Sequence, residues 1–115
     1  QRSGATRDAL KVFEEMVGSG FAADRAAYNG MVSACAKGLD WAMAKEVFAS
    51  IRAAGLEPDA VSYNSLISAF VGGVQEAGSY AEAQELIGEG HAVFDEMQRD
   101  GVSPDAFTYG NLLQL

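Results

Sequence analysis

Apolar residues recur along this chain of 115 residues at spacings of three and four, which is the period of one face of an α-helix. The pattern predicts helices at about residues 5–18, 26–37, 40–54, 61–71 and 79–99. Cys35 lies in the apolar stripe of the second of these, so it is expected in the core. A single helical hairpin cannot bury its apolar face, and neighbouring hairpins are therefore expected to stack.

The hairpins form an internal repeat. A shift of 35 residues aligns Phe13 with Phe48, Gly20 with Gly55, Asp24 with Asp59, and Tyr28-Asn29 with Tyr63-Asn64. The short segments "DRAAYN", "DAVSYN" and "DAFTYG" each begin a unit, with Gly110 where Asn is expected. A repeat of this length with two helices predicts an all-α fold, an α-α superhelix or solenoid of helical hairpins.

The third unit is 11 residues longer than the period. We predict that Gly72-Gly73 ends a first helix, that about four extra loop residues follow, and that the next second helix is two turns longer. Gly88 and Gly90 lie inside that second helix, where glycine is unfavourable, so a kink or break is expected near them. The extra residues should project from the edge of the solenoid opposite the Tyr-Asn pairs.

Charge divides the chain into two kinds of helix. The net charge is −8, which argues against a surface built mainly to neutralise phosphates. Residues 26–37 and 60–71 nevertheless contain no Asp or Glu, so the layer of first helices is expected to be neutral and that of second helices acidic. The acid-rich segments that end the second helices, "EEM" and "DEM", are interpreted as a solvated outer face.

Candidate chemistry for catalysis is sparse. The single cysteine excludes an internal disulfide and a cysteine zinc cage, and no apolar run reaches the roughly 18 residues of a membrane span. His91 is the only histidine and is interpreted as a surface residue. No catalytic triad, phosphate-binding loop or metal cluster is visible, so we expect no enzyme activity, no cofactor, no metal and no small-molecule substrate.

The two ends of the chain indicate an excerpt of a longer protein. The sequence opens on Gln1 without an initiator Met. Leu112, Leu113 and Leu115 begin a helix that has no hairpin partner in the chain, and their apolar face is expected to need further chain or another protein to cover it.

Together, these features resemble the pentatricopeptide repeat. The resemblance rests on Tyr-Asn near the start of each unit, on second helices ending in "VFEEM", "VFASI" or "VFDEM", and on the exits "GLEPD" and "GVSPD". Tetratricopeptide repeats have a period of 34 and a Trp-Leu-Gly-Tyr pattern that this sequence lacks. The resemblance covers nearly the whole chain, with a half repeat at 4–24, a full repeat at 25–59, an expanded repeat at 60–105, and the start of another at 106–115.

Proteins of this family typically bind single-stranded RNA in mitochondria or chloroplasts, one nucleotide per repeat. The resemblance implies that Asn29 pairs with Asp59, and Asn64 with Asp105, to read bases with a preference for pyrimidines. It also implies that bases would be wedged between the second residues of the repeats, which are Ala26, Val61 and Phe107.

Each of these assignments has a structural alternative. Asp before a helix is a good N-cap, and one residue can serve both purposes. Asn29 and Asn64 recur at the same site although Asn is a mediocre helix former, so both are expected to be exposed and to face something polar. Tyr28 and Tyr63 are in phase with the core stripe and are interpreted as packing residues. For the chain we keep two hypotheses: a segment of a non-catalytic RNA-binding protein that acts in RNA processing, stability, editing or translation, or a scaffold that contacts protein subunits of a large organellar assembly. The acidic charge, Gly110 and the irregular third unit favour the scaffold. The two intact Asn–Asp pairs and the acid-free first helices favour RNA binding, which we take as the first hypothesis.

Overall fold

A computed structural model describes residues 4–21 and 23–115, and these form six α-helices with no strand among them. The helices are α1 (Gly4–Gly18), α2 (Arg25–Lys37), α3 (Trp41–Ala53), α4 (Ala60–Gln75), α5 (Tyr80–Arg99) and α6 (Ala106–Leu112). The predicted all-α class is confirmed, and four of the five predicted helices agree with the observed bounds to within one residue. The exception, predicted at 61–71, runs to Gln75.

The helices lie in two layers. The first helices of the hairpins, α2, α4 and α6, pack side by side, and α1, α3 and α5 pack against them. The predicted stack of hairpins is therefore confirmed. The core lies between the layers, and its largest fully buried side chains include Ile51, Tyr63, Ile67, Phe70, Leu86 and Met97. Complete burial of an aliphatic or Phe side chain of this size stabilises a fold by about 1.5–3 kcal/mol. Cys35 is also buried, as predicted.

The three second helices end in the same turn. Gly20, Gly55 and Gly101 have φ values of 87°, 81° and 76°, in the left-handed region. At the middle turn, the amide of Leu56 donates to the carbonyl of Ile51 over 3.1 Å, and the amide of Gly55 donates to that of Arg52 over 3.0 Å. This pair of bonds is the Schellman motif, which favours glycine at the left-handed position. The glycine cap that "GLEPD" and "GVSPD" indicate is thus present after α3 and α5, and α1 ends in the same way at Gly20.

The extra 11 residues of the expanded hairpin are distributed differently from the prediction. Helix α4 has 16 residues where α2 has 13, and α5 has 20 where α3 has 13. The connection between α4 and α5 spans residues 76–79, one residue more than the connection at 38–40. The two additional turns of α5 are as predicted. The prediction of four extra loop residues is wrong. Of the four inserted residues outside α5, three extend α4 and only one lengthens the loop.

Gly72 and Gly73 lie inside α4 because their missing side chains make room for neighbours. Both are buried, and a Cβ atom on Gly73 would lie 2.8 Å from Cδ1 of Trp41 and 3.0 Å from Cδ1 of Leu86. The first distance is shorter than real Cβ contacts, and the second is tighter than nine in ten of them. Gly73 therefore lets α3 and α5 approach α4 closely, and a Cβ on Gly72 would lie 3.1 Å from Cδ2 of Leu39 in the α2–α3 connection. Neither glycine ends the helix.

Helix α5 is continuous through Gly88 and Gly90, so the expected break is absent. Leu115 packs over Gly90, where a Cβ would meet it. Of the three C-terminal leucines, only Leu113 is strongly exposed, at 88%, while Leu112 and Leu115 are half-buried. Among the described residues, no helix combines the length and the apolar character that crossing a membrane requires.

A polar cluster joins three helices of the two complete hairpins. Arg52 of α3 donates to the hydroxyl of Tyr63 on α4 over 2.8 Å, and it forms 2.6 Å ion pairs with Asp100 and with Glu96 of α5. The Tyr63 hydroxyl donates in turn to Asp100. Burial of Tyr63 raises the pKa of its hydroxyl well above the usual range, and the bond to Asp100 adds to the effect.

Candidate nucleic-acid interface

Asn29 and Asp59, which lie 30 residues apart, meet where the starts of α2 and α4 lie side by side. Asn29 Nδ2 donates to Asp59 Oδ1 over 3.0 Å. The opposite end of the same amide is also held, because the Ser62 hydroxyl donates to Asn29 Oδ1. One donor and one acceptor of the amide are thus occupied, and one of each remains.

The same arrangement occurs where α4 meets α6. Asn64 Nδ2 donates to Asp105 Oδ1 over 3.0 Å, and the Thr108 hydroxyl donates to Asn64 Oδ1. The predicted approach of Asn64 to Asp105 is therefore observed, despite the 11 extra residues in this hairpin. We call the two groups the first set (Asn29, Asp59, Ser62) and the second set (Asn64, Asp105, Thr108).

Each aspartate of the two sets is also a helix N-cap. Asp59 Oδ1 accepts from the amide of Ser62 over 3.0 Å, and the amide of Asp59 donates back to the Ser62 hydroxyl over 3.0 Å. Asp105 and Thr108 form the same capping box. Asp24 caps α2 by accepting from the amide of Ala27 over 2.9 Å. The capping alternative is therefore correct, and at Asp59 and Asp105 the cap and the Asn contact use the same oxygen.

The caps keep the two carboxylates charged. Burial by itself would raise the pKa of Asp59, but the bonds from Ser62 and Asn29 and the charge of Arg25 lower it more. Arg25 Nε lies 3.2 Å from Asp59 Oδ2. The pKa of Asp105 is lowered mainly by the backbone amide of Thr108, with further bonds from its hydroxyl and from Asn64. An ionised carboxylate accepts and never donates, so each Asn must turn its Nδ2 towards it.

The proposed wedge residues lie exposed at the starts of the three first helices. Val61 and Phe107 are 56% and 78% exposed, and Ala26 is exposed as well. At Phe107, a groove of about 340 Å³ crosses α2, α4 and α6. It is lined by Ser33, Ala36, Lys37, Asn64, Ser65, Ser68, Phe107 and Asn111. None of these residues is acidic, which agrees with the neutral layer expected from the sequence.

The two asparagines differ in exposure. Asn64 is half-buried, whereas Asn29 is only 8% exposed, although we expected both to face something polar in the open. The expectation was wrong for Asn29 because its amide is enclosed between α2 and the N-terminal turn of α4. Tyr28 and Tyr63 are packing residues, as interpreted, and contact Phe13 and Phe48 edge-on with ring centroids 5.3 and 5.1 Å apart. Gly110 has no side chain to offer at the next position.

Ser62 and Thr108 were not recognised as site residues in the sequence. Each stands at the third position of its helix, where a hydroxyl after an N-cap Asp completes a capping box. That signal was available in "DAVS" and "DAFT", but it identifies a cap only. Contact with an Asn more than 30 residues away depends on how the helices stack, which the local pattern does not contain.

A family model for the pentatricopeptide repeat domain matches residues 11–73. The chain belongs to the pentatricopeptide repeat family. Among solved structures it is similar to a crystal structure of the pentatricopeptide repeat protein PPR10 in complex with an 18-nucleotide psaJ RNA element, with 29% identity and a TM-score of 0.54. A variant of PPR10 with three cysteine-to-serine substitutions, in complex with the same element, gives the same values.

The match to PPR10 covers 90% of this chain and 19% of PPR10, so the chain spans about a fifth of that protein. No curated protein sequence matches the chain. The comparisons confirm the resemblance that the repeat pattern suggested. The Asn–Asp contacts lie at the edge where the first helices begin. The loops that join the two helices within each pentatricopeptide hairpin lie at the opposite edge.

Proposed function

We propose that this pentatricopeptide repeat chain is a non-catalytic segment of a protein that binds single-stranded RNA and prefers pyrimidines. The observation that carries the proposal is the recurrence of one hydrogen-bonded Asn–Asp arrangement at both junctions between first helices. In each set, Asn keeps one donor and one acceptor for the hydrogen-bonding edge of a base. The likeness to a protein solved with RNA supports the same reading.

The surface beside the two sets suits a single strand. Exposed Val61 and Phe107 offer apolar faces against which bases can lie, and base stacking on side chains is tolerant of sequence. Lys37 lines the groove, is exposed, and forms no ion pair with any described residue, so it is free to meet a phosphate. Lys37 is the one cation among the described residues that line this groove. The plot of the logarithm of RNA affinity against the logarithm of salt concentration should therefore have a shallow slope, roughly −0.7 for this contact.

Family membership extends the proposal to the cell. Pentatricopeptide repeat proteins are commonly organellar, so we place this protein in a mitochondrion or chloroplast, where it would act in RNA processing, stability, editing or translation. The two sets can read two bases, which is too few for high affinity. The RNA site of the whole protein therefore requires further repeats of the same kind.

The test replaces Asn29 and Asn64 with serine, singly and together, and measures binding to single-stranded oligonucleotides of each base. A shorter side chain withdraws the amide and leaves room for a larger base, so each swap should shift preference from pyrimidines towards purines independently. The control is Ser68→Ala, which lies in the same groove but belongs to neither set. Unchanged RNA binding after both swaps, with the fold intact by circular dichroism, would overturn the proposal and leave a protein-binding scaffold as the alternative.

A further inference from the structure

Ser62 contacts Asn29 in addition to capping helix α4 together with Asp59. Its side chain is fully buried, and its hydroxyl contacts both Asp59 and the amide oxygen of Asn29. We infer that Ser62, with Thr108 as its counterpart, is the third member of each base-reading set and positions the Asn amide that distinguishes uracil from cytosine. The inference rests on the proposed function and assigns it a residue that comes from the following repeat.

The two pyrimidines differ in the edge that they offer for hydrogen bonding. Uracil presents a donor at N3 and an acceptor at O4, whereas cytosine presents an acceptor at N3 and a donor at N4. A side-chain amide satisfies either base if it can turn over, because its oxygen and nitrogen exchange places. An amide held in one orientation favours one pyrimidine, so discrimination depends on how firmly it is held.

Two contacts hold the amide of Asn29. Asp59 accepts from Nδ2 over 3.0 Å, and a carboxylate facing Oδ1 would be repulsive, so Asp59 decides the direction. The Ser62 hydroxyl also holds Asp59, because it accepts from the Asp59 backbone amide over 3.0 Å and lies 3.0 Å from Asp59 Oδ1, and it anchors the other end of the Asn side chain. Without this hydroxyl the Asn amide keeps Asp59 as its one anchor, and Asp59 keeps only the bond from the backbone amide of residue 62 in its capping box.

The second set repeats each of these contacts with Thr108 in place of Ser62. The hydroxyl is therefore the common element, while the extra methyl group of threonine is not required. The difference between the two sets suggests a conservative variant. Ser62→Thr gives the first set the residue type that the second set has at this position.

The test uses nuclear magnetic resonance of the side-chain amides of Asn29 and Asn64 during titration with short single-stranded oligouridine and oligocytidine. Each resonance reports its own set. In Ser62→Ala, the uridine-over-cytidine preference at Asn29 should fall by roughly fivefold, the equivalent of one lost hydrogen bond, while that at Asn64 stays unchanged. Ser62→Thr should retain the preference at Asn29.

Thr108→Ala provides the reciprocal experiment at the second set, and it decides the inference should Ser62→Ala fail to fold. A loss of the cap alone would lower stability without changing the ratio of the affinities for uridine and cytidine. This ratio therefore separates a structural role from a positioning one. If the parent protein prefers uridine and both alanine variants keep the full preference, the inference is overturned and the proposed function stands. If neither parent resonance responds to either oligonucleotide, the proposed function fails and the inference with it.

Discussion

The hairpins α2–α3 and α4–α5 are alike at one edge of the solenoid and different at the other. At the edge where α2, α4 and α6 begin, the two sets match bond for bond, with 3.0 Å from Asn to Asp in each. At the opposite edge, α4 and α5 are longer than α2 and α3 by three and seven residues. Helix α4 is about 24 Å long at 1.5 Å per residue, so the two edges are well separated.

Such a solenoid tolerates extra length at the edge opposite the starts of its first helices. The start of each first helix is fixed by its Asp cap and by packing against the previous first helix, and both are independent of where the helix ends. Two extra turns keep the same face of a helix inward, because seven residues are close to two turns of 3.6. The expansion can therefore change the far edge without moving the sets.

The largest effect is expected where the expansion packs most closely. Gly73→Val puts three carbon atoms into space that already holds Trp41 and Leu86, and should lower the free energy of unfolding by about 3 kcal/mol. Gly30→Val is the matched change in the regular hairpin, where no atom lies within 4 Å of the added Cβ. It should change stability by less than about 0.5 kcal/mol. Urea denaturation followed by circular dichroism measures both, and equal stabilities would contradict the packing role of Gly73.

Gly73 also marks a limit of prediction from the sequence. The helices themselves were predictable, because an apolar stripe and a glycine exit are local patterns. The two adjacent glycines have the lowest helix propensity apart from proline, and that argued for a break. The close packing of Trp41 and Leu86 against Gly73 outweighs propensity, and these two residues are 45 positions apart in the chain, so no local window contains both.

A smaller effect is expected from the hydroxyl of Tyr63. Tyr63→Phe keeps the ring against Phe48 but removes the bonds to Arg52 and Asp100, and should cost about 1 kcal/mol. Tyr28→Phe is its counterpart in the regular hairpin, where the described residues offer the hydroxyl no hydrogen bond, and should be nearly neutral. Thermal unfolding of the two variants and the parent provides the comparison. A loss in Tyr28→Phe as large as that in Tyr63→Phe would show that the polar cluster adds no stability.

The candidate site was predictable only as far as its residues repeat. Asn29, Asp59, Asn64 and Asp105 stand at equivalent positions of their repeats, and the family resemblance implied a shared role for them. Ser62, Thr108 and Arg25 had no such signal, because a capping hydroxyl and a first-turn arginine are ordinary features of helices. The contacts that these residues make with Asn29, Asp59 and Asn64 follow from the stacking of α2, α4 and α6, which brings together side chains from neighbouring hairpins.

The smallest effect concerns Arg25, which distinguishes the two sets electrostatically. It pairs with Asp59, but Ala60 stands at the corresponding position of α4, so Asp105 has no such partner. Arg25 is one of the causes that lower the pKa of Asp59, and it is about half exposed, so solvent screens the pair. Arg25→Gln should therefore raise the pKa of Asp59 slightly and leave that of Asp105 unchanged, as measured by carboxyl resonances during an acid titration.

The sign of the effect on stability follows from the direction of these shifts. A carboxylate whose pKa is lowered by folding stabilises the fold above its unfolded value of about 3.9, and this contribution is lost as the pH falls through the folded value. Because Arg25→Gln raises the folded value, the loss should begin at a higher pH in the first set, while the second set provides the unchanged reference. If Asp59 titrates identically with and without Arg25, the cation does not act on the carboxylate. The two sets then differ in the burial of their asparagines and in the methyl group of Thr108, but not in this charge.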